Sequence, residues 1–568
     1  MRYLTVVLLT SLAAAADAPR WSGGRAGDAL DPAIQPEFAP YAWPDEPPDD
    51  CPHPRSTDLV GVRFTGRYAN YTGADTWYLS WAADGHCYSA FTDGYVWTRR
   101  PLAAYTCEHC ADAYKNLGVP RDFSPGALKP MHCHSNVGVN AIGMAKVVGD
   151  DPLNLGIEVL GRLPSGPNLY PCVNVVANGT WFIGSYDAFQ DQGPFNGFRH
   201  ARSWSQWSFA DTYPWTDPQW TDDRTPTTDF FAGDRQPRRF NVPHAVVFGQ
   251  DNRLSPDGKL YLSAHGAVAG GMSNWDKGDA IYLCRVDPAP AAVTDPKAYE
   301  FFAGHAADHT ALWTHNVSAA QPILAWPKHL GSESVTWLPG LKKFLLISAR
   351  LAESEKNLPY NLVTFWEADR ITGPYRLISA LRNWGPQAYF PSVPAKFIAA
   401  ADPRRMWYCG SFNYAVGEQQ PFGCRYAASF HELVLLTKEQ PQWTPPPRST
   451  RDIAPLATRT TGGTGDHPWV ELQWNSPQRI DRIRLYDLPA LGTQVLAATA
   501  TFDGGDPLAW RAWLSDRAYA PGEVSFAPRT VSTLRLTITD SRGSAPAFSR
   551  IEAFATQCAA VPKIRHIP

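Results

Sequence analysis

The 568-residue chain carries no surplus of charge of either sign: 51 lysines and arginines stand against 54 acidic residues, a formal net charge of -3. That balance leaves no basic footprint for the phosphates of a nucleic acid. Beyond the N-terminus no apolar run is long enough to span a bilayer as a helix. Helical periodicity is nearly missing between residues 59 and 436, which argues against long helices there. What the chain has in quantity is proline (51), glycine (43) and aromatic side chains (12%, including 22 tryptophans). That mix suits many short strands joined by turns, so the fold class is read as all-β. Exposed indole and phenol rings also suit sugar binding, because the CH faces of a sugar stack on them; core packing is the alternative for any single ring.

The opening residues MRYLTVVLLTSLAAAADAP have the layout of a secretory signal peptide. Arg2 supplies the positive end, Tyr3 to Leu12 the apolar stretch, and Ala16-Asp17-Ala18 a small-x-small cleavage pattern. Residues 1–18 are therefore read as the signal, 19–58 as an extended leader, and the mature protein as secreted. Three sequons fit that route, at Asn70, Asn178 and Asn316. The ten cysteines are an even number, as in a disulfide-bearing secreted protein. Cys409 and Cys424 flank one hairpin and are the candidate bridge. Cys107 and Cys110, with His109, His132, Cys133 and His134 nearby, offer a zinc set as the alternative to disulfides there. No cofactor is expected.

From residue 59 to 436 a hairpin recurs: an apolar strand, a turn, and a second strand ending in a polar residue. The copies begin TWYLSWA-ADG-HCYSAFTDG, PCVNVVA-NG-TWFIGSYD, HAVVFGQDNRLSPDGKLYLSAHG, ESVTWLPGLKKFLLISAR and FPSVPAKFIAADPRRMWYCGSFNY. Each is followed by enough outer-strand material for four strands per copy. Such repetition predicts a β-propeller of five blades, or six if residues 95–165 hide another. In a propeller blade the innermost strand begins on the face where the second strand ends. The residues at those two places ring one mouth of the channel: Asp75 and Asp93, Asp187, His244 and His265, Glu333 and Arg350, and Asn413.

The first hairpin carries the sharpest signal. A three-residue turn at Ala83-Asp84-Gly85 places Asp75 opposite Asp93, and a two-residue turn leaves them diagonal. Like charges directly opposed destabilise a sheet, and carboxylates sharing a site acquire split proton affinities. One protonated and one ionised carboxyl group is what glycoside hydrolysis requires. An ordinary strand start and turn is the alternative. Glu333 is the reserve general acid, His244 and His265 are candidates to contact sugar hydroxyls or tune a carboxylate, and Asp251 is read as a residue that shapes its loop, with a catalytic or substrate-binding role as the alternative.

The segment GADTWYLSWAADGHCYSAFTDG resembles the first blade of a five-bladed propeller family of secreted glycoside hydrolases that includes the microbial endo-D-arabinanases. VVFGQDNRLSPDGKLYLSAHGA (246–267), IYLCRVDP and YEFFAG resemble that family's third blade. The resemblance implies catalytic carboxylates at the positions of Asp75 and Asp93, and leaves the substrate open. In related furanosidase propellers acid and base sit on different blades, which keeps Glu333 in play.

The proline-rich stretch within 437–452 reads as a linker to a second all-β unit at 453–557, with 558–568 as a tail. Strict alternation in WVELQWNSPQRIDRIRLYDLP (469–489) predicts sandwich strands. Through Trp469, Glu471, Leu472, Arg550, Ile551, Glu552 and Phe554 this unit resembles a galactose-binding-like, discoidin-type jelly roll, which implies carbohydrate binding or surface anchoring; a purely structural β-sandwich is the alternative. The combined expectation is a secreted, monomeric glycoside hydrolase acting on an extracellular or cell-wall polysaccharide or glycoconjugate, furanoside or arabinan-type substrates included. The rivals are a non-catalytic carbohydrate-binding propeller (a lectin or adhesin) and a polysaccharide lyase with His244 or His265 as base.

Overall fold

Turn chemistry cuts this chain into hairpins. At Asn178-Gly179 both residues take positive φ, 49° and 72°, the pairing a two-residue hairpin turn requires, and the flanking segments Leu169–Ala177 and Thr180–Asp187 pair across it. The computed structural model describes residues 42–70, 75–92, 141–152, 155–164, 169–187, 195–201, 220–221, 230–231, 233–234, 237–271, 273–351, 361–382, 384, 390–412, 426–444, 452–463, 467–487, 494–511, 522–542 and 545–555. These residues are nearly all strand and turn, in the manner of a β-propeller. Among them no helix is long and apolar enough to cross a membrane.

Five antiparallel sheets follow one another along residues 59–437. The first holds Ser80–Trp81, Cys87–Phe91, Ala141–Val148 and Gly156–Pro164. The second holds Leu169–Ala177, Thr180–Asp187, Phe195–Ala201 and Trp220–Thr221. The third runs His244–Ala245, Leu260–Gly266, Gly278–Val286, Glu300–His305 and Ala311–Thr314, with Leu324–Leu330 added against Gly278–Val286. The fourth holds Ser332–Leu338, Lys343–Arg350, Leu362–Ala368 and Arg376–Arg382. The fifth joins Arg405–Phe412 and Tyr426–Thr437 to the early strand Leu59–Asn70, and Ser392 bridges Cys409 on its other side. Residues far apart in sequence thus complete one sheet, Leu59 facing Thr437.

The inner strands are buried on both faces. Every residue of Lys343–Arg350 and of Leu362–Ala368 is buried, as sheets stacked face to face demand. Side chains tie neighbouring sheets where backbone pairing stops. Asn174, in the second sheet, donates from Nδ2 to the carbonyls of Tyr78 and Tyr88. Its Oδ1 accepts from Ala90 N and from Trp181 Nε1, at 3.0 and 2.8 Å. Lys396, beside the fifth sheet, donates to the carbonyls of Gly85 and Gly149 in the first, at 2.7 and 2.6 Å.

After the linker, Thr458–Gly462, Trp469–Asp487, Gln494–Phe502, Leu508–Arg511, Gly522–Arg542 and Phe548–Ala555 form a sixth sheet. Its two long strands break register between Gln473 and Gln478 and between Ile480 and Arg482. Leu472, Ile483, Leu485, Leu534, Leu536 and Ile538 give it a hydrophobic core of its own.

One expectation changes. Cys409 is a buried free thiol, and so are Cys87, Cys172 and Cys284. Cys409 is buried in the fifth sheet's packing, which pushes the proton affinity of its thiol up. Cys424 lies outside the described residues. No disulfide occurs among the described cysteines.

Replacing Asn174 by alanine strips four buried backbone and indole groups of their partner. The expected loss is about 3–5 kcal/mol of unfolding free energy in urea titration; a loss below ~1 kcal/mol contradicts this reading of the tie.

Candidate active site

Val247 pairs with Thr336 in parallel, so the inner strands of the third and fourth sheets run the same way. His244 at the start of one and Glu333, second in the other, therefore lie at one end of the sheets, with His265 and Arg350 from the returning strands. Asp187 closes the second strand of the second sheet, opposite Leu169. The other end of the inner strands is apolar. Trp81, Trp337, Leu254, Pro339 and Pro403 line a cavity of about 440 Å³ there. Asp251 belongs to that apolar end: with φ 54° it accepts the Gly179 N–H at 2.9 Å, a loop-shaping contact away from the polar end.

The first hairpin follows its expected register near the turn. Ser80 faces Tyr88, Trp81 faces Cys87, and Gly85 takes φ 84°. Farther out the register slips by one, and Asp75 exchanges both backbone hydrogen bonds with Thr92, at 2.7 and 2.9 Å. The cause is local. Thr76 sits in the left-handed region at φ 64°, held by its N–H donating to the Asp75 carboxylate, so the first strand carries one extra residue, as in a bulge. Direct opposition of Asp75 and Asp93 is thereby replaced by an Asp75–Thr92 pair. Asp93 itself lies outside the described residues, as do Asn413, Cys107, Cys110, His132 and His134. The Asp75 residue is buried.

Glu333 is the most enclosed acid of the ring, with 0% exposure, and His265 is equally enclosed. His265 Nδ1 stands 3.0 Å from Glu333 Oε2, and its Nε2 stands 2.7 Å from the Asn274 carbonyl oxygen. Glu333 Oε1 has no hydrogen-bond partner; Ser263 Oγ is near it without the geometry of a bond. Burial raises the Glu333 carboxyl above the ordinary carboxylate range. Tyr78 joins this acid to the first sheet. Its hydroxyl meets His244 Nε2 at 3.1 Å, its ring stacks on His244 at 4.0 Å, and it feels the charges of both Glu333 and Asp75. Burial holds His244 well below the usual histidine range. Arg350 is buried, its Nη1 donating to the Leu351 carbonyl.

Two contributors were not predicted. Asp276, in the loop after Leu260–Gly266, faces His265 and Arg350, and burial raises its carboxyl. Trp275 beside it reaches Phe390, whose ring also meets Tyr78 and His244. The sequence signal was the loop SNWDKG, an aromatic directly followed by an acid just after a hairpin end; reading strand ends alone passes over it.

Among the described residues, one carboxylate cluster has the spacing for a cation: Asp58, Glu367 and Asp369. It is already neutralised. Lys343 lies 2.6 Å from Asp58 and from Asp369 and 3.1 Å from Glu367, and Arg376 adds pairs to all three. This is an ion-pair network on the fourth sheet, away from the polar ring.

Comparison with known proteins gives a family for one stretch. Residues 458–551 match the model of a domain of unknown function, DUF7402. No curated protein matches the chain. Among solved structures it is similar to a glycoside hydrolase family 43 arabinoxylan arabinofuranohydrolase from Bacillus subtilis in complex with cellotetraose, at 11% identity over 90% of this chain and 97% of that one, TM-score 0.29. It is similar to an exo-beta-1,3-galactanase from Phanerochaete chrysosporium with galactose, at 11% identity over 75% and 92%, TM-score 0.27. A match to the structure described as SpGH29 takes in 19% of this chain and 28% of that one, at 18% identity and TM-score 0.16. At these identities and scores the likeness says nothing of activity, and the chemistry rests on the side chains.

His244 and His431 predict a pH dependence. His431, edge-on to Phe64 and Trp384, is lowered by burial to about 3. Both histidines bind protons less readily folded than unfolded, so the stability they lend is full above pH ~6.5 and is lost as pH falls. Each contributes a slope of ~1.4 kcal/mol per pH unit. Urea midpoints should drop steadily from pH 6.5 toward 4.5, and His431→Phe should flatten part of that drop; an unchanged slope contradicts the assignment.

Proposed function

We propose that the chain is a secreted glycoside hydrolase whose five successive sheets are the blades of a five-bladed propeller, and whose reaction is carried by carboxyl groups at the polar end of the inner strands. Glu333 is the proton donor and Asp75 the ionised partner that receives a water proton or faces the anomeric carbon. The observation that carries this reading is Glu333 itself: a fully buried carboxyl of raised proton affinity, sharing Tyr78 as a neighbour with a second carboxyl, Asp75. An acid kept protonated near neutrality beside a carboxylate in a different setting is the division of labour that glycosidic cleavage needs. Asp93 remains the other candidate partner of Asp75 from the same hairpin.

Trp275, Phe390 and Tyr78 supply aromatic surface beside the carboxyl groups, which suits a polysaccharide or glycoconjugate substrate, furanosides among them. The C-terminal unit, with two long strands shared between its halves, fits a β-sandwich of the galactose-binding-like kind and would hold the enzyme on its substrate or a surface. Secretion rests on the N-terminal segment and on two exposed sequon asparagines, Asn178 and Asn316. The lyase alternative loses ground at His244, whose Nε2 already meets the Tyr78 hydroxyl.

A screen of plant and microbial polysaccharides should reveal reducing-end release by the wild type. Glu333→Gln and Asp75→Asn should each lower kcat/KM by roughly 10²–10⁴, the range for loss of a general acid or base, with the fold unchanged by circular dichroism. Unsaturated, ultraviolet-absorbing products in place of hydrolysed ends, or full activity in both variants, would overturn the proposal.

A further inference from the structure

His265 has two ring nitrogens and two different partners. The Asn274 carbonyl oxygen, 2.7 Å from Nε2, can only accept a hydrogen bond, so Nε2 carries a proton. That fixes what Nδ1 can be. In a neutral ring Nδ1 is a bare lone pair, and the 3.0 Å contact with Glu333 Oε2 then forms only if the carboxyl group brings the proton. The alternative, imidazolium beside carboxylate, would put two full charges where neither residue has any exposure. Tyr78 and Cys172 face Glu333 with their protons held firmly by burial. The charged groups nearby face the pair from outside it: Asp276 and Arg350 lie together on the His265 side, and Asp75 lies beyond Tyr78.

We propose that His265 is the positioning residue of the reaction's acid: held in its Nε2–H form by the Asn274 carbonyl, it presents a lone pair that keeps one proton on Glu333. The inference rests on the hydrolase reading and deepens it. The resting pair is Glu333 O–H donating to Nδ1. A half-turn of the carboxyl about χ3, a soft torsion, carries the O–H toward the leaving glycosidic oxygen. The O–H bond of Glu333 then breaks and its proton goes to that oxygen, which keeps the bonding pair of the cleaved C–O bond; a water oxygen bonds the anomeric carbon and passes a proton to the Asp75 carboxylate, and Glu333 is left as a carboxylate. A carboxylate facing the Nδ1 lone pair is unfavourable, so Glu333 is reprotonated, and Asp75 deprotonated, before the next turnover. The loop that supplies Asn274 also carries Trp275 and Asp276, so the residues that would meet the sugar and the carbonyl that fixes the histidine share one short segment.

The test has two arms. In ¹⁵N-labelled full-length protein, the signal of His265, assigned by its disappearance in His265→Gln, should show Nε2 protonated and Nδ1 bare and accepting near pH ~7. A doubly protonated His265 near pH ~7 overturns the proposal, whatever the activity. In kinetics, the alkaline limb of kcat/KM against pH reports the acid. In His265→Gln, whose amide N–H can donate to a carboxylate, that limb should move by about one unit to lower pH, with KM little changed and kcat/KM at pH ~7.5 down about tenfold. A folded variant whose limb stays in place overturns the positioning role, because a merely structural histidine would lower activity evenly across pH. Absence of any hydrolysis by the wild type would sink the hydrolase reading while leaving the ¹⁵N result to judge the shared proton by itself.

Discussion

A carboxyl group with no water around it sets the terms for the polar end of this molecule. Ionising Glu333 where it stands would cost several kcal/mol without a compensating partner, and the partner present is a histidine already committed through Nε2 to a backbone carbonyl. The rest of the arrangement serves that pair. The fourth sheet brings Glu333, the third brings His265, and the loop after the third sheet's second strand brings Asn274. Tyr78 from the first sheet closes the near side, fixed by its carbonyl's bond to Asn174 of the second sheet and by its hydroxyl's contact with His244.

The two ends of the inner strands have diverged in chemistry. Where the strands begin, side chains are ionisable and buried; where they finish, Trp81, Trp337, Leu254 and prolines form an apolar hollow. Parallel alignment of the inner strands makes this possible, because one strand position recurs at one height in sheet after sheet. A polar residue placed first in several strands becomes a cluster without any residue being near another in sequence.

That logic is why much of the site was legible in the sequence. The repeated hairpins located His244, His265, Glu333 and Arg350 at one end from strand order alone. What strand order cannot supply is local irregularity. The left-handed turn of the backbone at Thr76 shifts the first hairpin by one residue, and nothing in TWYLSWA announces it. Nor does alternation rank the acids: the burial of Glu333 and its contact with a histidine from another sheet, on which the proposed role as proton donor rests, are both products of tertiary packing. Tyr78 and Asp276 went unmarked for the same reason. Cys409 misled in the opposite sense, since even cysteine counts say nothing about which way a strand residue faces.

The central claim is that Glu333 delivers the proton to a glycosidic oxygen. A crystal structure of Glu333→Gln with an oligosaccharide substrate bound tests it most directly. The account predicts a glycosidic oxygen within about 2.6–3.2 Å of the Gln side chain at that position, with Asp75 on the anomeric carbon's other side. A sugar chain seated with no glycosidic oxygen in reach of that side chain would contradict it.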